Sequence, residues 1–386
     1  MRHPISNITG MSEWTAGQVA KIAASSLPEI PVINAADVVD TLPGFQTWDC
    51  WSVDDVNGIS VEFDGWTPWV VMCAPRDVHP DLRHDIARLR LMLRRNDEWR
   101  DCGYLLPDDV NPGSREWAGS TVYVAISGRI TLFYTVTGRR GELAQSYEQR
   151  LFQISGRLQV SAGCATVADW NQPVENVISD GLYYTIVDHK QGRAGFIKGF
   201  RDPFHFRDPA DGADYLLFTG SLNRSSHDHN GVVGIARSID GSFAQWELLP
   251  PLLSADGVNN ELERPVLRHF DRRYYLFWST QAKTFAPDGP SGPNGLYGMV
   301  ADALLGPYRP LNHTGLVAPN PAREPYQTYS WWIDHRLQVT GFVDLWGLDG
   351  RDTDAESRLK TSQFGGVPAP RFTLALDGDR AHIITE

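Results

Sequence analysis

Short runs in which apolar and polar residues alternate recur along most of this chain and constrain its fold more than any other feature. Ala87, Leu89, Leu91 and Leu93 are interleaved with Arg88, Arg90 and Arg94, and Ile130 to Val136, Tyr215 to Phe218 and Tyr274 to Trp278 have the same texture. A period of two sends successive side chains to opposite faces of an extended segment, so each run reads as a half-buried strand. Turn clusters separate them: Asp211-Gly212, Asp240-Gly241 and the Pro/Gly-rich stretch from Pro287 to Gly295. One helix is readable, near the start, where Thr15 and Gln18 form a capping box ahead of Val19, Ile22 and Ala23. Many short strands without strand-helix alternation imply an all-β sandwich, barrel or propeller. No repeat of blade length is present, so internal repetition does not select the propeller.

Charge and cysteine usage narrow the function. The 35 basic against 47 acidic residues give a formal charge of −12, and no Lys/Arg cluster interrupts it. Nucleic acid and anionic membranes are therefore not expected partners. Cys50, Cys73, Cys102 and Cys164 form no C-x-x-C pair and lie at no zinc spacing from His; free thiols are expected, and neither a metal nor a cofactor. From Met1-Arg2-His3-Pro4 onward there is no apolar stretch suited to a signal peptide, and the densest apolar run, Trp69 to Ala74, is too short to span a bilayer. The expected location is cytoplasmic, or outside the cell by a signal-independent route.

Four islands carry the chemistry: Trp48-Asp49, Glu116-Trp117, Phe200-Arg201-Asp202-Pro203 and Glu261-Leu262-Glu263-Arg264-Pro265. A retaining glycosidase needs one ionised carboxylate to attack the anomeric carbon and one protonated carboxyl to release the leaving group. Asp49 and Glu263 can fill those roles. Singly the islands are ambiguous: Trp48 could belong to the core, Asp49 could cap a turn, and Arg207-Asp208-Pro209 repeats the Arg-Asp-Pro motif where Ala210-Asp211-Gly212 reads as a hairpin turn. Glu261 and Glu263 stand two apart, so on a strand both face one way while Leu262 faces the core. A cation between them, Arg264 or Arg201, would leave one ionised and structural and the other protonated and catalytic. The bland alternative is a solvated pair on an exposed strand.

Taken in order along the chain, the islands resemble glycoside hydrolase family 68, the levansucrases, inulosucrases and bacterial β-fructofuranosidases, and particularly its shorter Gram-negative members. The likeness runs from Ser12-Glu13-Trp14-Thr15 through the islands, Leu249 to Leu252, Gly257-Val258-Asn259, Gly298 to Pro307 and Gly315-Leu316-Val317 to Tyr326-Gln327-Thr328-Tyr329-Ser330. It implies one catalytic domain over residues 1–386, an all-β five-bladed β-propeller with a central acidic pocket and a short N-terminal helix. It implies Asp49 as nucleophile, Asp202 as transition-state stabiliser and Glu263 as acid/base. Trp48, Trp117, Arg201, Glu261, Arg264, Gln281 and Tyr329 would bind sugar or orient the carboxylates. The implied reaction is cleavage of sucrose through a covalent fructosyl-enzyme, with fructose passing to water or a sugar acceptor. The Asn-Asp-Pro-x-Gly and Glu-Cys motifs of the related invertase family are absent.

Departures from the family pattern cluster, on this reading, toward the acceptor. Gln281 replaces a His or Arg, Thr219 replaces a Glu at a strand end, Trp331 replaces a His, and the segment Asn223 to Asn230 is short. Hydrolysis or short-chain transfer is therefore expected over long polymer. A strict β-fructofuranosidase, an inulosucrase and a non-catalytic sugar-binding propeller are the alternatives; oligomeric state is not readable.

Overall fold

The computed structural model describes residues 11–161, 163–187 and 197–384; the opening residues on which the signal-peptide reading rests lie outside them. Five strands organise the fold: β1 (Phe45–Asp55), β2 (Arg115–Val124), β3 (Phe200–Arg207), β4 (Glu263–Phe270) and β5 (Thr328–Ile333). Each opens an antiparallel group that steps outward, β3 for example pairing with Asp214–Ser221, that strand with Gly231–Ser238, and that one with Trp246–Ser254. Each of the five packs on the next, and β5 packs on β1, so the opening strands close a ring. This is the radial arrangement of a β-propeller, one of the three all-β architectures the alternating pattern allowed.

The groups are held together in different ways. Those of β1 and β2 merge into a single nine-stranded sheet because Val53 to Asp55 run parallel to Thr121 to Tyr123. Between β5 and β1 the seam is closed by packing and by the Thr47 hydroxyl on the Gly366 carbonyl at 3.3 Å. Ser12–Glu13 adds a parallel fifth strand to the β3 group, and Trp14 donates to the Thr314 carbonyl of the β4 group at 2.8 Å. Gln327, just ahead of β5, bonds both Ile33 N–H and the Pro31 carbonyl. The N-terminal segment thus straps three groups.

The capping box forms, with the Thr15 hydroxyl accepting from Gln18 N–H, but the helix it starts, α1 (Ala16–Val19), is a single turn followed by 3-10 geometry at Ile22–Ala24. Val19 and Ile22 are buried; Ala23 is exposed. A larger difference concerns the strands. Residues 130–136, 215–218 and 274–278 are buried along their whole length rather than on one face, because each group is covered by a neighbour on both sides. The polar members of the alternation are accommodated by hydrogen bonds: the Thr135 hydroxyl donates to the Ala118 carbonyl at 3.0 Å and accepts Asp202 N–H at 2.8 Å, and Thr131 pairs with Ser155 at 2.9 Å. Arg207-Asp208-Pro209 does form the turn into the next strand, with Asp208 accepting Ala210 N–H. All four cysteines are free. Among the described residues no helix is long and apolar enough to cross a membrane.

Candidate active site

All five ring strands carry the same irregularity at the same end. The ladder slips by one residue between Thr47 and Cys50, Trp117 and Gly119, Arg201 and Phe204, Glu263 and Val266, and Tyr329 and Trp332. In each case the ring strand holds one residue more than its partner, the definition of a β-bulge. Consecutive side chains on a regular strand face opposite ways; at four of these bulges they do not. Trp48 and Asp49, Arg201 and Asp202, Glu263 and Arg264, and Tyr329 and Ser330 are neighbours in sequence, and all eight line one pocket of about 600 Å³. Asp202, Arg264 and Ser330 take left-handed backbone conformations, with φ of 60°, 49° and 58°, costly for residues with a side chain and concentrated at functional sites. Pro203 and Pro265 follow two of them, where a bulge leaves no ladder position for an N–H.

The pocket receives all ten residues singled out from the sequence: Trp48, Asp49, Trp117, Arg201, Asp202, Glu261, Glu263, Arg264, Gln281 and Tyr329. Eight carboxylates and five Lys/Arg cations line it, so it is acidic. Glu116 does not line it. Its carboxylate turns away to accept Leu89 N–H at 2.8 Å and to meet Arg88 at 3.5 Å, and burial pushes it up to about 7; it joins the β1 and β2 groups.

Arg201 is the cation between the two glutamates. Its Nη2 reaches Glu261 Oε2 at 3.2 Å and Glu263 Oε1 at 2.5 Å, and its Nε lies 3.4 Å from Asp202 Oδ2. Arg264 points elsewhere, donating to Ser330 Oγ at 2.8 Å and the Cys50 carbonyl at 3.1 Å. Glu263 also accepts from the Tyr329 hydroxyl, which in turn bonds Gln281. Burial raises both glutamates, but the outcome differs. Arg201, Tyr329 and the hydrogen bond from Glu261 outweigh burial at Glu263 and hold it below the usual range, whereas burial and the Glu263 charge push Glu261 up to about 8. Arg201 and Tyr329 thus draw the negative charge of the pair toward Glu263 and its proton toward Glu261.

Asp202 is pushed up to about 7 by burial, with Arg201 opposing and the Asp49 charge adding. The Thr219 hydroxyl beneath it lies 3.1 Å from Asp202 Oδ2, 3.2 Å from the Leu262 carbonyl and 3.1 Å from Arg264 N. Burial also raises Asp49, against the pull of Arg264 and a hydrogen bond from Ser330.

Several pocket residues carried no sequence signal. His84 stands edge-on between Trp48 and Trp117, at 5.3 and 5.9 Å between ring centres, and Tyr147 extends the arc 6.4 Å beyond Trp117. Burial and Arg83 hold His84 neutral. The Arg83 guanidinium lies over Phe364, Trp48 and Phe342 at 5.0, 5.6 and 5.8 Å. Both belong to a 3-10 segment, Pro80–Ile86, without a motif. Of the three substitutions read toward the acceptor, only Gln281 is on the pocket wall. Thr219 lies under Asp202, and Trp331 is core, packed edge-on against Tyr329.

The family model described as Levansucrase/Invertase matches residues 5–231 and 222–385. A levansucrase of Pseudomonas syringae pv. actinidiae is 32% identical over 415 residues, covering 97% of this chain and 90% of that protein. A solved inulosucrase of Halalkalicoccus jeotgali, bound to kestose, superposes with a TM-score of 0.89 at 37% identity over 97% of this chain and 95% of its own. The levansucrase of Gluconacetobacter diazotrophicus shares the fold, with a TM-score of 0.84 at 22% identity over 99% and 92%.

Proposed function

The chain belongs to the levansucrase/invertase family, glycoside hydrolase family 68, and from that premise we propose that its pocket cleaves sucrose with retention, as a single catalytic domain whose five strand groups are the blades. It is a fructosyl-transferring enzyme. The observation that carries the mechanism is the convergence of Asp49, Asp202, Glu261 and Glu263 with Arg201 and Arg264 at the bulged ends of the ring. Asp49 attacks C2 of the fructosyl unit while the glucosyl oxygen takes a proton from Glu263. The result is a fructosyl ester on Asp49 and free glucose; Glu263 then takes the proton of water or of an acceptor hydroxyl, which displaces Asp49. Asp202 holds fructose hydroxyls, and Trp48, His84 and Trp117 supply apolar faces with polar edges suited to a sugar ring.

A Glu263 that rests ionised can still be the donor if it draws its proton from Glu261, to which it is hydrogen-bonded. The two carboxyls then titrate as one unit holding one proton. Activity is lost as pH rises past the unit's upper titration, near 8. In Glu261→Gln the carboxyl that holds the shared proton is gone, and the limb is left to Glu263, which Arg201 and Tyr329 hold below the usual range. The alkaline limb of kcat/KM moves to lower pH by about one unit or more. A limb that stays in place rules out the shared proton.

Products follow from the wall. Gln281 offers an uncharged amide where a His or Arg is usual, and the 223–230 segment is short, so an extended acceptor chain loses a titratable contact on the wall and a stretch of protein to lie against. With concentrated sucrose, glucose appears together with free fructose and short oligosaccharides. Chromatographic separation decides: abundant high-molecular-weight levan overturns the short-chain reading, and absence of glucose overturns sucrose as donor.

A further inference from the structure

Lys198 lies outside the pocket, three residues before Arg201, and its ammonium is held by the Asp228 carbonyl, Asn230 Oδ1 at 2.7 Å and Asn260 Oδ1 at 3.3 Å. These acceptors are neutral carbonyl oxygens; the charges that hold the proton on Lys198 against burial are those of Asp228, Asp256 and Glu261. An ammonium only donates. It therefore fixes the Asn260 amide with its oxygen toward Lys198 and its nitrogen toward the Ile197 carbonyl at 2.8 Å and Glu261 Oε1 at 3.4 Å. Glu261 is consequently gripped on one oxygen by Asn260 and on the other by Arg201. We propose that Lys198 is a positioning residue for the carboxyl that supplies the donor's proton: through Asn260 it sets the orientation of Glu261 and holds a positive charge behind the Glu261–Glu263 pair.

Among the described residues, Asp228, Asp256 and Glu261 act on Lys198, which itself acts on His229, and Glu263, Arg201 and Lys283 face Glu261. Removing the lysine charge takes support from ionised Glu261 and frees the Asn260 amide to turn its oxygen toward the carboxylate. Both effects bind the pair's proton more tightly, so the alkaline limb moves upward, opposite to Glu261→Gln.

The inference rests on Glu263 as donor, and the test separates the two. Lys198→Met is expected to lower kcat on sucrose about tenfold with KM nearly unchanged, and to raise the alkaline limb of kcat/KM by about half a unit; Lys198→Arg restores both. With a fructosyl donor whose leaving group departs without protonation, the kcat defect shrinks to within about twofold. A limb that stays or moves down, or an equal defect on the activated donor, overturns the role of Lys198. Glu263→Gln measured alongside decides the donor assignment itself: if it cleaves sucrose like wild type, that assignment fails whatever Lys198→Met does.

Discussion

Asp49→Asn will release no measurable glucose from sucrose, a fall on the order of 10⁴-fold or more, as for the loss of a catalytic nucleophile elsewhere. The amide keeps the size of the carboxylate and can still accept from Ser330, so the pocket retains its shape; what disappears is the ability to bond to C2. Stability will not fall with activity. Asp49 is a buried carboxylate whose proton affinity rises on folding, so its charge opposes the native state above its unfolded titration range. A neutral Asn removes that opposition, and the unfolding temperature should equal or exceed that of wild type. Calorimetry together with glucose release tests both. The pair of results also separates an enzyme from a sugar-binding propeller, since a binding module would have no glucose release to lose. Persistent glucose release by the well-folded variant would remove Asp49 from the chemistry.

Glu263→Gln is expected to cost about 10²- to 10⁴-fold on sucrose, the range of general acid catalysis. Its signature lies in the choice of donor. A fructosyl donor with a good leaving group needs no proton, so the first step recovers, while the second slows because no base takes the proton from water. The variant should accumulate a protein species heavier by one fructosyl residue, located by peptide mapping on Asp49. Recovery without that adduct would argue for direct displacement by water, and equal loss on both donors would make Glu263 a positioning group rather than the acid. Arg201 holds Glu263 Oε1 at 2.5 Å and the Tyr329 hydroxyl holds the other oxygen; the Gln oxygen keeps the Arg201 contact and its amide nitrogen donates to the Tyr329 hydroxyl in reversed sense, so collapse of the site is not expected.

Much of this could be read in the chain because the ring exposes its chemistry in adjacent pairs. Trp48-Asp49, Arg201-Asp202, Glu263-Arg264 and Tyr329-Ser330 stand out as motifs because each bulge delivers two neighbours to the pocket. Arg83 and His84 also reach the pocket as neighbours, but from a 3-10 segment without a distinctive residue pattern. Thr219 touches Asp202, and Lys198 reaches Glu261 only through Asn260, behind the pocket wall, where many side chains would satisfy a sequence pattern and only the hydrogen-bond partners set a residue apart. Tyr215 to Phe218 and Tyr274 to Trp278 are continuous apolar runs, the local pattern of a strand covered on both faces; the interleaved Thr131 and Thr135 are buried because neighbouring groups cover them, which no local pattern encodes.

Sequence alone determined that the chain is all-β and singled out the acids and aromatics that line the pocket, since period two and residue type are local properties; Glu261 precedes the strand that opens at Glu263, so its turn toward the pocket is not a matter of strand period. Tertiary structure alone decided that Arg201 rather than Arg264 bridges Glu261 and Glu263, and in which direction each of them is shifted. Bulges send the two arginines in different directions although both sit at ring-strand ends, and the titration of a buried acid depends on what folding brings within a few ångströms of it.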